Sequence, residues 1–192
     1  MKTLLRICFL CLIMQGHAMV LRAQKLYRFE SYNSVGLVAN SQATQGLVQS
    51  VNGFSRGPWY AGIGLGIDGF RVRSAPLFAD LRYRLGKGRG KWLAYTDLGY
   101  HFPWDDTGDF AISNSLGSSF KGGFYLDAGL GFQWAMGKRG QALTATAGYS
   151  LKNMSEEAMI IPFCPGPGIC EPRTEYFAYS LNRYVFKIGW KF

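Results

Sequence analysis

The stretch "WYAGIGLGIDGF", Trp59 to Phe70, alternates along its length. Successive side chains of an extended strand point to opposite faces, so Trp59, Ala61, Ile63, Leu65 and Ile67 share one side. Tyr60, Gly62, Gly64, Gly66 and Asp68 share the other. The first face is wholly apolar. The second holds three glycines beside a tyrosine and an acid, a composition that weakens a solvated strand because glycine packs against nothing. Such glycines make sense where bulky groups approach the strand from that side.

The same pattern recurs along the chain. In "SAPLFADLRYRL", Ala75, Leu77, Ala79, Leu81, Tyr83 and Leu85 oppose Phe78, Asp80, Arg82 and Arg84. In "KWLAYTDLGYHF", Trp92, Ala94, Thr96, Leu98, Tyr100 and Phe102 oppose Tyr95, Asp97, Gly99 and His101. "GFYLDAGLGFQWAM" sets Phe124, Leu126, Ala128, Leu130, Phe132 and Trp134 against Tyr125, Asp127, Gly129, Gly131 and Gln133. "QALTATAGYSL" separates Leu143, Ala145, Ala147, Tyr149 and Leu151 from Thr144, Thr146, Gly148 and Ser150. A last strand starts near Thr174 and ends in "RYVFKIGWKF". Ahead of these, "YNSVGLVAN" and "ATQGLVQSVN" are weaker strands, with Val35, Leu37 and Ala39, and Leu47, Gln49 and Val51, assigned to the apolar face. The count is eight strands.

Each apolar face follows from its hydrophobic residues alone, yet the in-strand charges all fall opposite it: Asp68, Asp80, Arg82, Arg84, Asp97, Asp127, Arg183, Lys187 and Lys191. A soluble sandwich or lipocalin-like barrel alternates in the same way, so parity by itself does not decide between them. The glycines on the charged face do. In the narrow lumen of an eight-stranded barrel they leave room for Tyr60, Tyr95, Tyr125, Arg82 and Arg84 to cross the interior. Asp68, Asp80, Asp97 and Asp127 are then expected to pair with Arg82, Arg84, Arg183 and Lys187 as a polar plug.

The apolar face carries aromatics near strand ends, namely Trp59, Tyr83, Trp92, Phe102, Phe124, Trp134, Tyr184 and Trp190, with Ala, Ile and Leu between them. Amphipathic rings at strand ends form the girdles of a membrane barrel. Strands of about 9–11 residues cross the hydrocarbon layer at a tilt, where every backbone group needs an internal partner and the sheet therefore closes. The expected fold is all-β: an eight-stranded antiparallel up-and-down transmembrane β-barrel. Its turns "GFSRGP", "GKGRGK" and "GKRG" share one side, and the long connections, roughly 103–121 and 152–173, share the other. That asymmetry matches short periplasmic turns and long outer loops.

Composition agrees. Aromatics make up 16% of the 192 residues and charged residues only 17%, below the roughly 25% of ordinary soluble domains. "MKTLLR" followed by the apolar run Ile7 to Met14 reads as a secretory leader, too short to span a bilayer. Cleavage after Ala23 is favoured over Ala18, giving a leader at 1–23 and a barrel domain at 24–192. The net charge of +9 is not gathered on one patch, which argues against nucleic acid as a partner. Cys164 and Cys170 in "CPGPGIC" are the two cysteines left after the leader, and an exported chain is expected to join them as a disulfide. No metal site or cofactor is expected, because further ligands do not accompany the cysteines.

On these residues the chain resembles small Gram-negative outer-membrane β-barrels of the OmpA/OmpX architecture. Tyr184, Phe186, Ile188, Trp190 and the final Phe192 are similar to the end signal by which the barrel assembly machinery recognises its substrates. The resemblance implies residence in the outer membrane, with outer-membrane lipids and that machinery as partners. It implies little about activity, since one barrel architecture carries many functions.

Motifs for chemistry are sparse. "GLGIDG" (64–69) has dinucleotide-loop spacing but lies within a strand, without the following helix. "GKGRGK" is a basic turn. Asp105, Asp106 and Asp109 form a solvated acidic loop without calcium-loop spacing. "AMIIPF" (158–163) is an apolar run, either a contact surface for a partner or a segment folded onto the rim. His101, the one histidine after the leader, is expected to be a solvated rim residue. The favoured reading is a non-enzymatic barrel with a structural or surface-interaction role through its outer loops. The alternative is an enzyme of hydrolase or acyltransferase type acting on outer-leaflet lipid with His101 as base. A channel is disfavoured because side chains fill so narrow a lumen.

If Phe192 belongs to an assembly signal, deleting it lowers the fraction of folded barrel, read as the heat-modifiable band on a gel. An unchanged fraction counts against the signal.

Overall fold

Alternation, turn chemistry and the need to pair every backbone group act together in the computed structural model, which describes residues 27–104, 115–137, 140–160 and 171–192. The leader, Cys164, Cys170 and the acidic residues Asp105, Asp106 and Asp109 lie outside the described residues. The strands are β1 (Arg28–Ala39), β2 (Thr44–Arg56), β3 (Trp59–Asp68), β4 (Ser74–Leu85), β5 (Gly90–Pro103), β6 (Ser115–Lys121), β7 (Phe124–Met136), β8 (Gln141–Ile160) and β9 (Arg173–Lys191). Neighbours pair antiparallel, and β9 pairs with both β8 and β1, so eight of the strands form a closed ring. Phe192 completes the seam, exchanging backbone hydrogen bonds with Ser31.

The ninth segment, β6, is the outer continuation of β7. Both run antiparallel to β8, with Lys121 opposite Ser155 and Tyr125 opposite Lys152. The intervening Gly122–Gly123 inserts one extra residue, a bulge that flips the parity. Phe120 and Tyr125 therefore both point inward, although they stand five positions apart, a spacing that puts residues of a regular strand on opposite faces. Only glycine fits here: a Cβ on Gly122 would lie 1.8 Å from the His101 carbonyl oxygen, and one on Gly123 would lie 2.4 Å from that of Asn153.

The ring turns its apolar face outward. Ile63 is 68% exposed and Trp92 63%, whereas Tyr60 and Asp97 are fully buried in the lumen. Glycine makes that interior possible: a Cβ on Gly64 would lie 2.3 Å from the Phe78 ring, and one on Gly148 would lie 2.5 Å from the Tyr95 hydroxyl. Outward rings meet across strands at both ends of the apolar band. Trp59 packs on Tyr83 at 4.5 Å and Trp92 on Phe132 at 5.3 Å at the end bearing the tight turns. Tyr149 packs on Tyr184 at 5.8 Å at the other end. From Trp92 to Tyr100 a strand tilted about 40° rises roughly 20 Å, close to the height of a hydrocarbon band.

Two expectations change. In β2 the inward residues are Leu47, Gln49 and Val51, each nearly fully buried, while Val48 and Phe54 are more than half exposed. The face was read backwards because part of the lumen is itself apolar, so hydrophobicity does not identify the outside there. Both long outer connections are also shorter than expected, because β6 takes up Ser115–Lys121 of the first and β8 extends into the second. β8 runs on to Ile160 and β9 begins at Arg173, giving strands of 20 and 19 residues.

Gly122→Ala should lower stability by about 1–3 kcal/mol, the usual cost of forced overpacking. Gly46→Ala, where an added Cβ meets nothing within 4 Å, should change little. Urea unfolding in lipid vesicles compares them; equal midpoints would remove the steric role of the bulge.

Candidate functional site: the lumen stack and the outer blade

The strand register lays charged side chains at successive heights of the lumen. Nearest the tight turns, Glu30 accepts hydrogen bonds from Arg84 at 2.9 and 3.0 Å and from Lys191 at 3.2 Å. Above it, Arg82 forks onto Asp80 two residues earlier on the same strand, at 2.6 to 2.9 Å, and its guanidinium lies 4.1 Å over the Tyr32 ring.

Asp80, Asp97 and Asp127 stand directly opposite one another on β4, β5 and β7. Like charges so placed repel, and cations from elsewhere offset them. Lys187 reaches across from β9 to Asp127 at 2.7 Å, Asp97 at 3.4 Å and the Gln49 amide oxygen at 3.2 Å. Its ammonium sits 4.2 Å over the Tyr95 ring, and the Tyr95 hydroxyl donates to Asp127 at 2.9 Å. Higher still, Arg183 is hydrogen-bonded to Asp68 and, at 2.8 Å, to the Ser150 hydroxyl.

All eight acids and bases expected in the plug therefore face the lumen, although Arg84 takes Glu30 as its partner. Glu30, Lys152 and Glu156 were missed. All three lie on the lumen parity, Glu30 and Lys152 just outside the strand ends that the alternation marks and Glu156 further out along the same strand as Lys152.

Lys152 fastens a lid. Its ammonium donates to the backbone carbonyls of Phe70 and Val72 at 3.3 and 3.2 Å and to the Ser74 hydroxyl at 2.8 Å, and it lies 3.6 Å from Asp68. This pulls the β3–β4 connection into the outer mouth. Phe70 and Val72 pack there with Val38, Leu47, Phe120, Met154, Leu181 and Val185 as one apolar cluster above the ion pairs.

Over that lid stands a three-stranded blade formed by β6 and the outer halves of β8 and β9. β1 pairs with β9 only from Tyr184 to Lys191, so the outer half of β9 has β8 alone as its strand partner among the described residues. Residues 150–160 add about 35 Å of strand beyond Tyr149. The blade's inner face holds Met154, Glu156, Ala158 and Leu181, all buried. Glu156 accepts from Ser118 at 2.7 Å and Tyr179 at 2.8 Å. Burial first, then that carboxylate, pushes the Tyr179 hydroxyl up to about 12. The other face changes character past the Tyr149–Tyr184 pair, from Ala, Phe and Ile to Asn153, Ser155, Glu157, Tyr176, Ser180 and Asn182. There Lys121 and Glu157 pair at 2.8 Å. That hydrogen bond and the mutual charge hold Glu157 below the usual carboxylate range and Lys121 above the usual ammonium range. A membrane boundary at the tyrosine pair accounts for the switch. Ala158, from the apolar run, is built into the blade rather than exposed.

His101 is not the solvated rim residue expected. It is fully buried beside the bulge. Its Nε2 donates to the Asn153 carbonyl at 2.7 Å and faces the Gly123 amide at 3.3 Å, while the His101 amide donates to the Gly123 carbonyl. Through Nε2 the ring satisfies the Asn153 carbonyl opposite the bulge. No serine hydroxyl or carboxylate is hydrogen-bonded to it among the described residues.

A closed ring with an apolar, ring-girdled exterior and an ion-paired interior defines the class: an integral β-barrel of the outer-membrane type. The fold is shared with the N-terminal β-barrel domain of Pseudomonas aeruginosa OprF (TM-score 0.51, 11% identity, covering 85% of this chain and 97% of that one). It is shared likewise with the outer membrane protein AlkL (TM-score 0.52, 13% identity, 86% and 88% covered). OprG of P. aeruginosa also matches (TM-score 0.50, 12% identity, 86% and 93% covered). No protein-family description matches the sequence, and no curated protein does.

Arg82→Met leaves the Asp80 carboxylate buried without its fork and should cost about 3–5 kcal/mol. Adding Asp80→Asn should recover a good part of that loss. A double-mutant cycle by urea unfolding in vesicles measures the coupling; additive losses would mean the pair is energetically idle.

Proposed function

We propose that this chain is an outer-membrane barrel that does not conduct, and that it acts by presenting its outer blade and loops to a partner at the cell surface. The observation that carries this reading is the sealed lumen. Ion pairs occupy it at successive heights from Glu30 to Asp68, and the apolar lid covers them. An aqueous path would need several of these contacts broken at once. The blade supports the second half of the proposal. Its long strands stand clear of the apolar band, its outward face is mostly polar, and among the described residues the outer half of β9 has one edge without a strand partner, of the kind that accepts another strand. Outer-membrane lipids and the assembly machinery remain the partners expected during residence and biogenesis. Hydrolysis or acyl transfer at His101 has no comparable support, because the ring is fully buried and no serine hydroxyl or carboxylate is hydrogen-bonded to it among the described residues.

Purified barrel reconstituted in planar bilayers should show no stepwise conductance. Removing the lid with Phe70→Gly and Val72→Gly should leave it closed, since the ion pairs beneath remain. Steady open-pore steps from the unmodified protein would defeat the proposal.

A further inference from the structure

One level of the lumen carries hydroxyls that the ion pairs do not use. Ser34 on β1 and Thr144 on β8 both stand directly opposite Gly189 of β9, and Thr146 stands opposite Lys187. Gly189 keeps the space between them open. A Cβ there would lie 2.9 Å from the Ser34 Cβ and 2.9 Å from the Thr144 hydroxyl oxygen. Ser34, Thr144 and Thr146, with Arg82, Tyr95 and Lys187, line a small cavity inside the ring, about 10 Å³ of it open to the centre of a water molecule. That is room for one.

The wall of this cavity offers both donors and acceptors. The Thr146 hydroxyl oxygen is buried and has no hydrogen-bond partner in the protein. The Ser34 and Thr144 hydroxyls make no side-chain hydrogen bond to any described residue. Arg82 commits Nε and Nη2 to Asp80, which leaves its Nη1 donors. The Tyr95 hydroxyl gives its proton to Asp127, so its oxygen can still accept. Lys187 is already committed to Gln49, Asp97 and Asp127.

We infer that this cavity binds a single water molecule, which the lumen keeps when the ring closes. A buried water needs roughly two to four polar partners, and the hydroxyls, the Arg82 N–H groups and the Tyr95 oxygen supply them. The charges argue against an ion. Arg82 and Lys187 form part of the wall and repel a metal ion. Asp80, Asp97 and Asp127, side by side at the same level, outnumber those two cations and repel an anion. What fits is a neutral molecule that both donates and accepts, and the volume limits it to water. Bound there, it joins hydroxyls of β1 and β8, the two neighbours of β9, to the ion pairs held by β4 and β5. The inference concerns the lumen alone and does not rest on what the blade binds.

The sign of a stability change tests it. Thr146→Val keeps the shape of the side chain and removes only the hydroxyl. If that hydroxyl bonds a water, the urea midpoint in lipid vesicles falls. If it is buried with no partner at all, removing it raises the midpoint, because an unmet polar group disappears. Thr144→Val should lower the midpoint as well, and it carries the test should Thr146→Val fail to fold. Thr96→Val, on the lipid-facing side of β5, should not lower it. A crystal structure of the barrel in detergent should show one isolated density peak within hydrogen-bonding distance of Thr146 and of Ser34, Thr144 or Arg82. Crystals grown with rubidium and bromide salts should give no anomalous signal at that peak. A midpoint unchanged or raised in both valine variants, or no density in the cavity, would overturn the inference. An anomalous signal there would overturn it too, by assigning the site to an ion.

Discussion

Hydrocarbon offers no hydrogen-bond partner to a peptide group, and nearly every feature of this structure follows from that. An open sheet would leave two rows of backbone groups unpaired at a cost of several kcal/mol each, so the first and last strands of the ring meet and Phe192 bonds to Ser31. Closure with eight strands leaves a lumen just wide enough for side chains. That lumen is then filled by whatever the inward parity supplies. Here it supplies acids, bases and tyrosines, with glycines in the wall where a large ring or hydroxyl presses against the backbone.

The interior is a case of buried charge made tolerable by pairing. Buried ion pairs add little net stability compared with apolar packing, but removing one partner is expensive. The stack is thus better understood as a constraint than as a source of stability. Each carboxylate holds a cation from another strand or from two residues away, and the row of aspartates on β4, β5 and β7 is tolerable only because Arg82 and Lys187 stand against it. Lys152 extends the same logic to the outer mouth, using an ammonium to hold backbone carbonyls and so to set Phe70 and Val72 as a lid.

The parity of side chains made most of this legible in advance, because each strand of the wall separates two unlike environments. Where the environments become alike, legibility fails. Leu47 and Val51 point into an apolar part of the lumen, so β2 was read with its faces exchanged. Above the Tyr149–Tyr184 pair neither face touches lipid, and the polar outward residues of β8 and β9 look like loop. His101 was misjudged for a different reason. Its partners are backbone groups exposed by a bulge, and no sequence pattern announces which carbonyl a histidine will meet. The lumen residues Glu30 and Lys152 were visible in principle, one step past the ends assigned to their strands.

The Glu30, Asp68 and Asp127 pairings join residues far apart in sequence: Lys191 to Glu30, Arg183 to Asp68, Lys187 to Asp127. Three of the cations that complete the stack come from the last strand. A chain made up to β8 therefore leaves Asp97 and Asp127 without the Lys187 ammonium, and Glu30 and Asp68 each with one cation, Arg84 and Lys152, in place of two. Water must stay in the half-formed lumen until β9 arrives and must leave as its side chains enter. Drying the interior and closing the seam become a single event, and a nascent barrel stalled before its final strand is a hydrated, charged trough rather than a smaller barrel.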